Sequence, residues 1–250
     1  MAQTDRVLGI DCSRWQDDNS TPQQMDFVKA YQAGARFVFI KASQGTWCDE
    51  DFLYNWKSAK DAGLYRGAYH YLDASASGEA QAEFFLGLLD QDSGELPPVI
   101  DYEYRKQDKN MMYSRLVDFG DSLGNEGIIP MIYTSPYYWD NWGEDLDFWK
   151  QFPLWIANYE VNKPNIPLPW IKEDYWQWTD KGDGIKFGAE SYGLDMNWYN
   201  GTWLEFCARY GTLVTDPPVE DYEKGYENGY CGAVEELGLY LDTMRASRIP

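Results

Sequence analysis

Eight short β-rich runs recur along the chain, and in the first half each is separated from the next by a segment with helical spacing. That rhythm is the tightest constraint on the fold. Val7-Leu8-Gly9-Ile10-Asp11-Cys12 opens the series, and residues 35–42, 66–72, 96–104, 128–134, 153–159, 175–179 and 192–198 continue it. Between the early runs lie four helical segments: residues 22–32, residues 51–62 ending at a capping Gly63, residues 79–89 with apolar spacing of three and four, and residues 111–123. Strand alternating with helix implies a parallel sheet with helices packed outside it, and eight strands imply closure. Later the helices fail, because the stretch between the sixth and seventh runs is short and carries Pro164, Pro167 and Pro169. The expected fold is an α/β chain: a compact, irregular β/α barrel, TIM-barrel-like, with helices missing or short in its second half. Residues 1–211 are expected to form this barrel, and residues 212–250 a linker and a helical C-terminal tail.

In such barrels chemistry sits at the C-terminal ends of the strands. Leu96-Pro97-Pro98-Val99-Ile100-Asp101-Tyr102-Glu103-Tyr104 delivers two carboxylates to one of those ends. Side chains alternate along a strand, so Asp101 and Glu103 face the same way, roughly 6–7 Å apart. Paired carboxylates are the usual equipment of glycoside cleavage. A chain with 41 acidic residues also produces such triplets by chance. Asp11 and Asp195, at the ends of the first and last runs, raise the count at that mouth to four. Four carboxylates in one cleft cannot all ionise easily, so at least one is expected to hold a proton near neutrality.

The balance of 21 basic against 41 acidic residues, a net charge of −20, argues against nucleic acid and anionic membrane surfaces as partners. No run approaches the ~20 apolar residues of a membrane span, and the first residues lack a signal-peptide pattern, so no membrane insertion and synthesis in a cytosol are expected. Cys12, Cys48, Cys207 and Cys231 are too scattered for a disulfide framework and are expected as free thiols. With a single histidine, His70, no metal site and no cofactor are expected. His70 itself reads as a hydrogen-bonded core or rim residue. Twelve Trp and 20 Tyr suit both a packed core and the stacking of sugar rings.

Eight motifs stand in a recognisable order: Gly9-Ile10-Asp11-x-Ser13-x-Trp15-Gln16, Phe39-Ile40-Lys41-Ala42, Gly67-Ala68-Tyr69-His70, Pro98-Val99-Ile100-Asp101-x-Glu103, Ile132-Tyr133-Thr134-Ser135, Leu154-Trp155-Ile156-Ala157, Trp176-Gln177 and Leu194-Asp195-x-Asn197. In this the chain resembles the glycoside hydrolase family 25 muramidases, the Chalaropsis-type lysozymes, which include many bacteriophage endolysins. The resemblance runs over residues 8–203, about four-fifths of the chain. It implies a β/α barrel that hydrolyses the β-1,4 bond between N-acetylmuramic acid and N-acetylglucosamine in bacterial peptidoglycan. Carried over by position, Glu103 looks like the general acid. Asp101 would orient and polarise the substrate's 2-acetamido group or act as the second carboxylate, and Asp11 and Asp195 complete an acidic quartet. Cys12 and Gln44 depart from the family's usual aliphatic residue and Glu, without touching that quartet.

Asp101 stands too close to Glu103 to place a free water between them, so attack by the acetamido oxygen with retention is the expected route. Tyr69, Tyr133, Trp155 and Trp176 are candidate sugar contacts, each equally readable as barrel packing. Lys41 either balances the acids or snorkels to solvent. After Thr215-Asp216-Pro217-Pro218, the Tyr222, Tyr226, Tyr230, Val234, Leu237, Leu241 and Met244 stripe reads as helical. It would pack back on the barrel, mediate homo-oligomer formation, or serve as a reduced wall-binding element. A phage endolysin released to the wall from the host cytoplasm fits these features. The rival functions are a chitinase-like β-1,4-N-acetylglucosaminidase and a non-catalytic glycan-binding barrel.

Overall fold

The structure is a computed structural model, and it describes residues 6–17 and 24–212. Its strands are β1 (Val7–Cys12), β2 (Phe37–Gln44), the two-residue β3 (Trp47–Cys48), β4 (Tyr65–Tyr71), β5 (Val99–Asp101), β6 (Met131–Thr134), β7 (Leu154–Ala157), β8 (Tyr175–Asp183) and β9 (Gly193–Tyr199). Eight of them close a barrel in the order β1-β2-β4-β5-β6-β7-β8-β9 and back to β1, while β3 folds onto β2 outside the closure. Each expected run supplies one barrel strand.

The barrel is not wholly parallel. Strand β9 runs antiparallel to both of its neighbours, β8 and β1. The cause is the connection: β8 turns directly into β9 as a hairpin with Asp183 opposite Gly193, and a parallel return would need a crossover of a dozen or more residues. Asp195 therefore lies near the start of its strand rather than at the end. Because that strand is reversed, its start is at the same mouth as the ends of the others, with Asp195 directly opposite Asp11.

Among the described residues six α-helices accompany the barrel: α1 (Phe27–Gln32), α2 (Phe52–Asp61), α3 (Gly78–Leu89), α4 (Lys109–Asn125), α5 (Pro136–Trp142) and α6 (Trp203–Tyr210). Helix α4 starts two residues before the apolar pattern does because Asp108 caps it, accepting from Met111 N at 3.1 Å. Ser77 and Ser135 cap α3 and α5 in the same way. Residues 158–174 hold no helix, as their prolines imply.

Two apolar layers hold the fold. The outer one lies between sheet and helices, and the inner one fills the barrel. Aromatic rings span the interior: Phe39 of β2 stacks on Trp155 of β7 at 4.3 Å, and Phe37 meets Tyr175 of β8 at 5.0 Å. Room for them comes from Gly9 and Gly67 on the flanking strands, where a Cβ would lie 2.3 Å from the Phe37 ring and 2.5 Å from Phe39. Helix α6 plugs the bottom. Its Phe206 packs on Phe37, Tyr65 and Tyr199, and Tyr65 Oη donates to Gly211 O at 2.6 Å.

Cys12, Cys48 and Cys207 are free thiols. The proposed linker, the apolar stripe, Cys231 and the expected helix start at Pro22 lie outside the described residues. Among the described residues no helix is long and apolar enough to cross a membrane.

Candidate active site

Inward-facing positions at the upper ends of the strands carry the polar residues, while those below carry the aromatic filling. The result is a cleft of about 240 Å³ lined by Asp11, Lys41, Tyr69, Asp101, Glu103, Tyr133, Trp155, Gln177 and Asp195, among others. All four predicted acids meet there. Hydrogen-bonded strand β5 stops at Asp101, but Tyr102 N still donates to Tyr133 O at 2.9 Å, so the alternation persists and Glu103 faces the cleft beside Asp101.

Asp11 is the most tightly held of the four. Its Oδ2 accepts from Gln177 Nε2 and from Asn197 Nδ2, each at 2.8 Å. Those amides are themselves fixed: Gln177 Oε1 accepts from Tyr133 Oη at 2.9 Å and Tyr159 Oη at 2.6 Å, and Asn197 Oδ1 accepts from Trp155 Nε1 at 2.7 Å. Gln177 and Asn197 occur in the motifs that carry the family resemblance, but the sequence assigns them no role. A lone amide between aromatic neighbours in Tyr175-Trp176-Gln177-Trp178 was the available signal.

Every acid in the cleft is shifted toward the protonated form. Burial is the first cause in each case, ahead of the mutual repulsion that the sequence emphasised. Burial and then the neighbouring Asp195 charge hold Asp11 well above the carboxylate range, while burial lifts Asp195 to about 6. Asp101 is pushed well up by burial and by Glu103, with Lys41 opposing. Glu103 is raised by burial, against the pull of Arg105. Asp101 Oδ1 is buried without a hydrogen-bond partner and marks a place for an incoming donor.

Lys41 stays in the site, its Nζ donating to Gln44 Oε1 at 3.1 Å and lying 5.0 Å from the Tyr71 ring centre. Tyr69, Tyr133 and Trp155 line the cleft. Trp155 is only 2% exposed and its N–H is engaged, so it serves as floor as well as wall. Trp176 does not reach the cleft. Next to inward-facing Gln177, it points outward into the layer between sheet and loops, donating to Asn158 O at 2.8 Å. Fully buried His70 joins Ser43 Oγ at 2.8 Å and Gln81 Oε1 at 3.0 Å, and burial lowers it to about 4, so it is a neutral structural residue.

Carboxyl groups converging in a groove at the mouth of such a barrel define a carbohydrate-cleaving enzyme, a glycoside hydrolase. The model of glycosyl hydrolases family 25 matches residues 10–185, and the chain belongs to that family. The N,O-diacetylmuramidase of Chalaropsis sp is 32% identical over 214 residues, covering 78% of this chain and 95% of that protein. A muramidase from Trichobolus zukalii, 32% identical, superposes with a TM-score of 0.68 over 82% of this chain and 99% of its own. The CTP1L endolysin, 25% identical, does so with a TM-score of 0.65 over 81% of this chain and 69% of its own.

Proposed function

We propose that this family 25 hydrolase is a muramidase, cleaving the β-1,4 bond from N-acetylmuramic acid to N-acetylglucosamine in bacterial peptidoglycan, with Glu103 as the proton donor. The observation that carries the assignment is the gathering of Asp11, Asp101, Glu103 and Asp195 in one half-enclosed cleft. Glu103 reaches solvent and substrate more readily than buried Asp101, and its raised pKa keeps a proton available to the leaving oxygen.

In the free site the Asp101–Glu103 pair is raised as a unit, by burial first at both carboxyls. A substrate acetamido N–H donated to the open Asp101 Oδ1, together with the Lys41 charge, stabilises ionised Asp101 and moves the proton to Glu103. Asp101 then orients the acetamido group, whose oxygen attacks the anomeric carbon as the leaving oxygen takes the Glu103 proton. Water opens the resulting oxazolinium with Glu103 acting as base, giving retention. Asp11 and Asp195 share a proton behind this pair and leave negative charge facing the developing oxocarbenium ion. Tyr69, Tyr133 and Trp155 supply sugar-facing walls.

Purified walls digested by wild type and by Glu103→Gln test the assignment. New muramic reducing ends should appear with wild type only. Equal release from chitin, or none from walls, overturns it, and first release of the inverted anomer overturns the oxazolinium route.

The catalytic domain is taken to end at residue 211, where α6 completes the barrel, with 212–250 as an extension. Likeness to an endolysin supports a role in lysis from within a host cell. Cytosolic expression should then lyse bacteria only when their membrane is permeabilised.

A further inference from the structure

Lys41 and Gln44 stand three residues apart on β2, and in a regular strand an odd separation puts two side chains on opposite faces. The two nonetheless meet, with Lys41 Nζ donating to Gln44 Oε1 at 3.1 Å. A β-bulge is the reason. Along β4, Lys41 pairs with Tyr69 and Ser43 with the very next residue, His70, so Ala42 is taken up as an extra residue between them. The bulge turns Ser43 outward, onto His70, and brings Gln44 to the cleft side beside Tyr71.

That turn of the chain is pinned from both faces. On the outer face His70 links Ser43 Oγ, 2.8 Å from its Nδ1, to Gln81 Oε1, 3.0 Å from its Nε2. Gln81 in turn holds the Asp73 backbone, accepting from Asp73 N at 3.1 Å and donating to Asp73 O at 3.0 Å. Asp73 closes the circuit: its Oδ2 accepts from Gln44 Nε2 at 3.2 Å, while its Oδ1 takes Ser75 N at 2.8 Å and Ser75 Oγ at 2.5 Å. Gly45, at φ +55°, leaves room for this approach, since a Cβ there would lie 2.3 Å from Ser75 Oγ.

The orientation of the Gln44 amide follows from its partners. An ammonium only donates and a carboxylate only accepts, so the amide oxygen faces Lys41 and the amide nitrogen faces Asp73. A neutral group thus stands between the cation and an acid that would otherwise pair with it. Lys41 is left with its charge toward Asp101 and Glu103 at the end of β5 and toward Asp49 just after β3, with Arg14 as the opposing cation. The rings of Tyr71 and Trp47 flank the ammonium at 5.0 and 5.5 Å.

We propose that Gln44 is a positioning residue: held by Asp73 through the bulge in β2, it fixes the Lys41 ammonium beside Asp101 and Glu103 without neutralising it. The effect on turnover rests on the muramidase reading, whereas the effect on the two acids needs no substrate.

A double-mutant cycle on the full-length chain tests it. Gln44→Met is close in size and removes both hydrogen bonds, which frees the ammonium to leave the acids. On soluble peptidoglycan fragments kcat should fall at least ~10-fold, with KM changed less than ~2-fold. A nearby cation lowers a carboxyl pKa, so its departure should move both limbs of the pH–rate profile upward by at least about half a unit. In a Lys41→Met background the same substitution should add nothing to either effect. Carbon-13 NMR titration of the Asp101 and Glu103 carboxyls in the free protein should show the same upward shift, again absent from the Lys41→Met background. Gln44→Asn, which keeps an amide but falls one methylene short of Lys41, should behave as Gln44→Met does, and thermal unfolding reports that each variant is folded. Equal losses in both backgrounds, or carboxyl titrations unmoved by both Gln44 variants, overturn the inference. Carboxyls that shift as stated in a protein that cleaves no wall fragment support the placement of Lys41 and overturn the muramidase reading instead.

Discussion

Asp101 and Glu103 come from one triplet yet have different surroundings, and in the proposed mechanism their tasks diverge. Glu103 keeps an exposed side next to Arg105, whose guanidinium lies 5.3 Å from the Tyr137 ring centre. Since burial raises Glu103 and Arg105 lowers it, activity that needs the protonated acid is present below the folded pKa and is lost as pH rises through it. Arg105→Gln should move that alkaline limb to higher pH, measured as kcat/KM on a soluble glycan across a pH series. Glu103→Gln should cost at least ~100-fold with the fold intact. Gln177→Leu strands two tyrosine hydroxyls and removes a donor from Asp11. It should lower unfolding free energy by about 1–3 kcal/mol, read by denaturant titration, and impair turnover. The acids are legible because spacing places them; Gln177 is not, because β8 is aromatic on both faces and shows no alternation that would separate it from Trp176. Burial, which sets the pKa values, has no local signature in sequence.

Among the elements, β4 carries the least expected feature. Arg66 points outward from it, 0% exposed, and its guanidinium holds both Asp92 and Glu95 at 2.7–3.0 Å while stacking 4.5 Å from Trp56. Those acids lie in the loop that feeds β5, so this cluster sets where the catalytic strand begins. The Arg66 guanidinium holds the Asp92 carboxyl well below the usual carboxylate range. Stability from that pairing is complete above the unfolded Asp value of about 3.9 and is lost as pH falls through the lower folded value. Arg66→Met should therefore destabilise by about 3 kcal/mol at neutral pH and lose less in strong acid, measured by urea unfolding at both. A lone Arg in the apolar run of residues 66–72 was the readable hint. The strand runs themselves were legible from composition and turns. The direction of β9 was not, because a hairpin and a tight crossover leave similar short polar stretches.

At the scale of the molecule, closure depends on both ends of the barrel. The upper end is polar and open, while the lower end is sealed by α6 through Phe206. A chain ending at Gly201 should expose the inner aromatic layer, bind a hydrophobic dye and unfold at lower temperature than one ending at Thr212. A charge of −20 also sets conditions for work on an anionic wall. Raising ionic strength from ~0.01 to ~0.15 M shortens the Debye length from ~30 to ~8 Å and should speed wall cleavage while leaving short neutral glycans unaffected. The antiparallel β9 brings Tyr199 down beside Val7, so the described chain starts and finishes on the same floor, away from the cleft. An anchor fixed at either of these points would leave the working face turned outward. Immobilised on a bead through a residue at either of these points, the enzyme should meet an intact cell wall in the same orientation, as a stud with its cutting edge up.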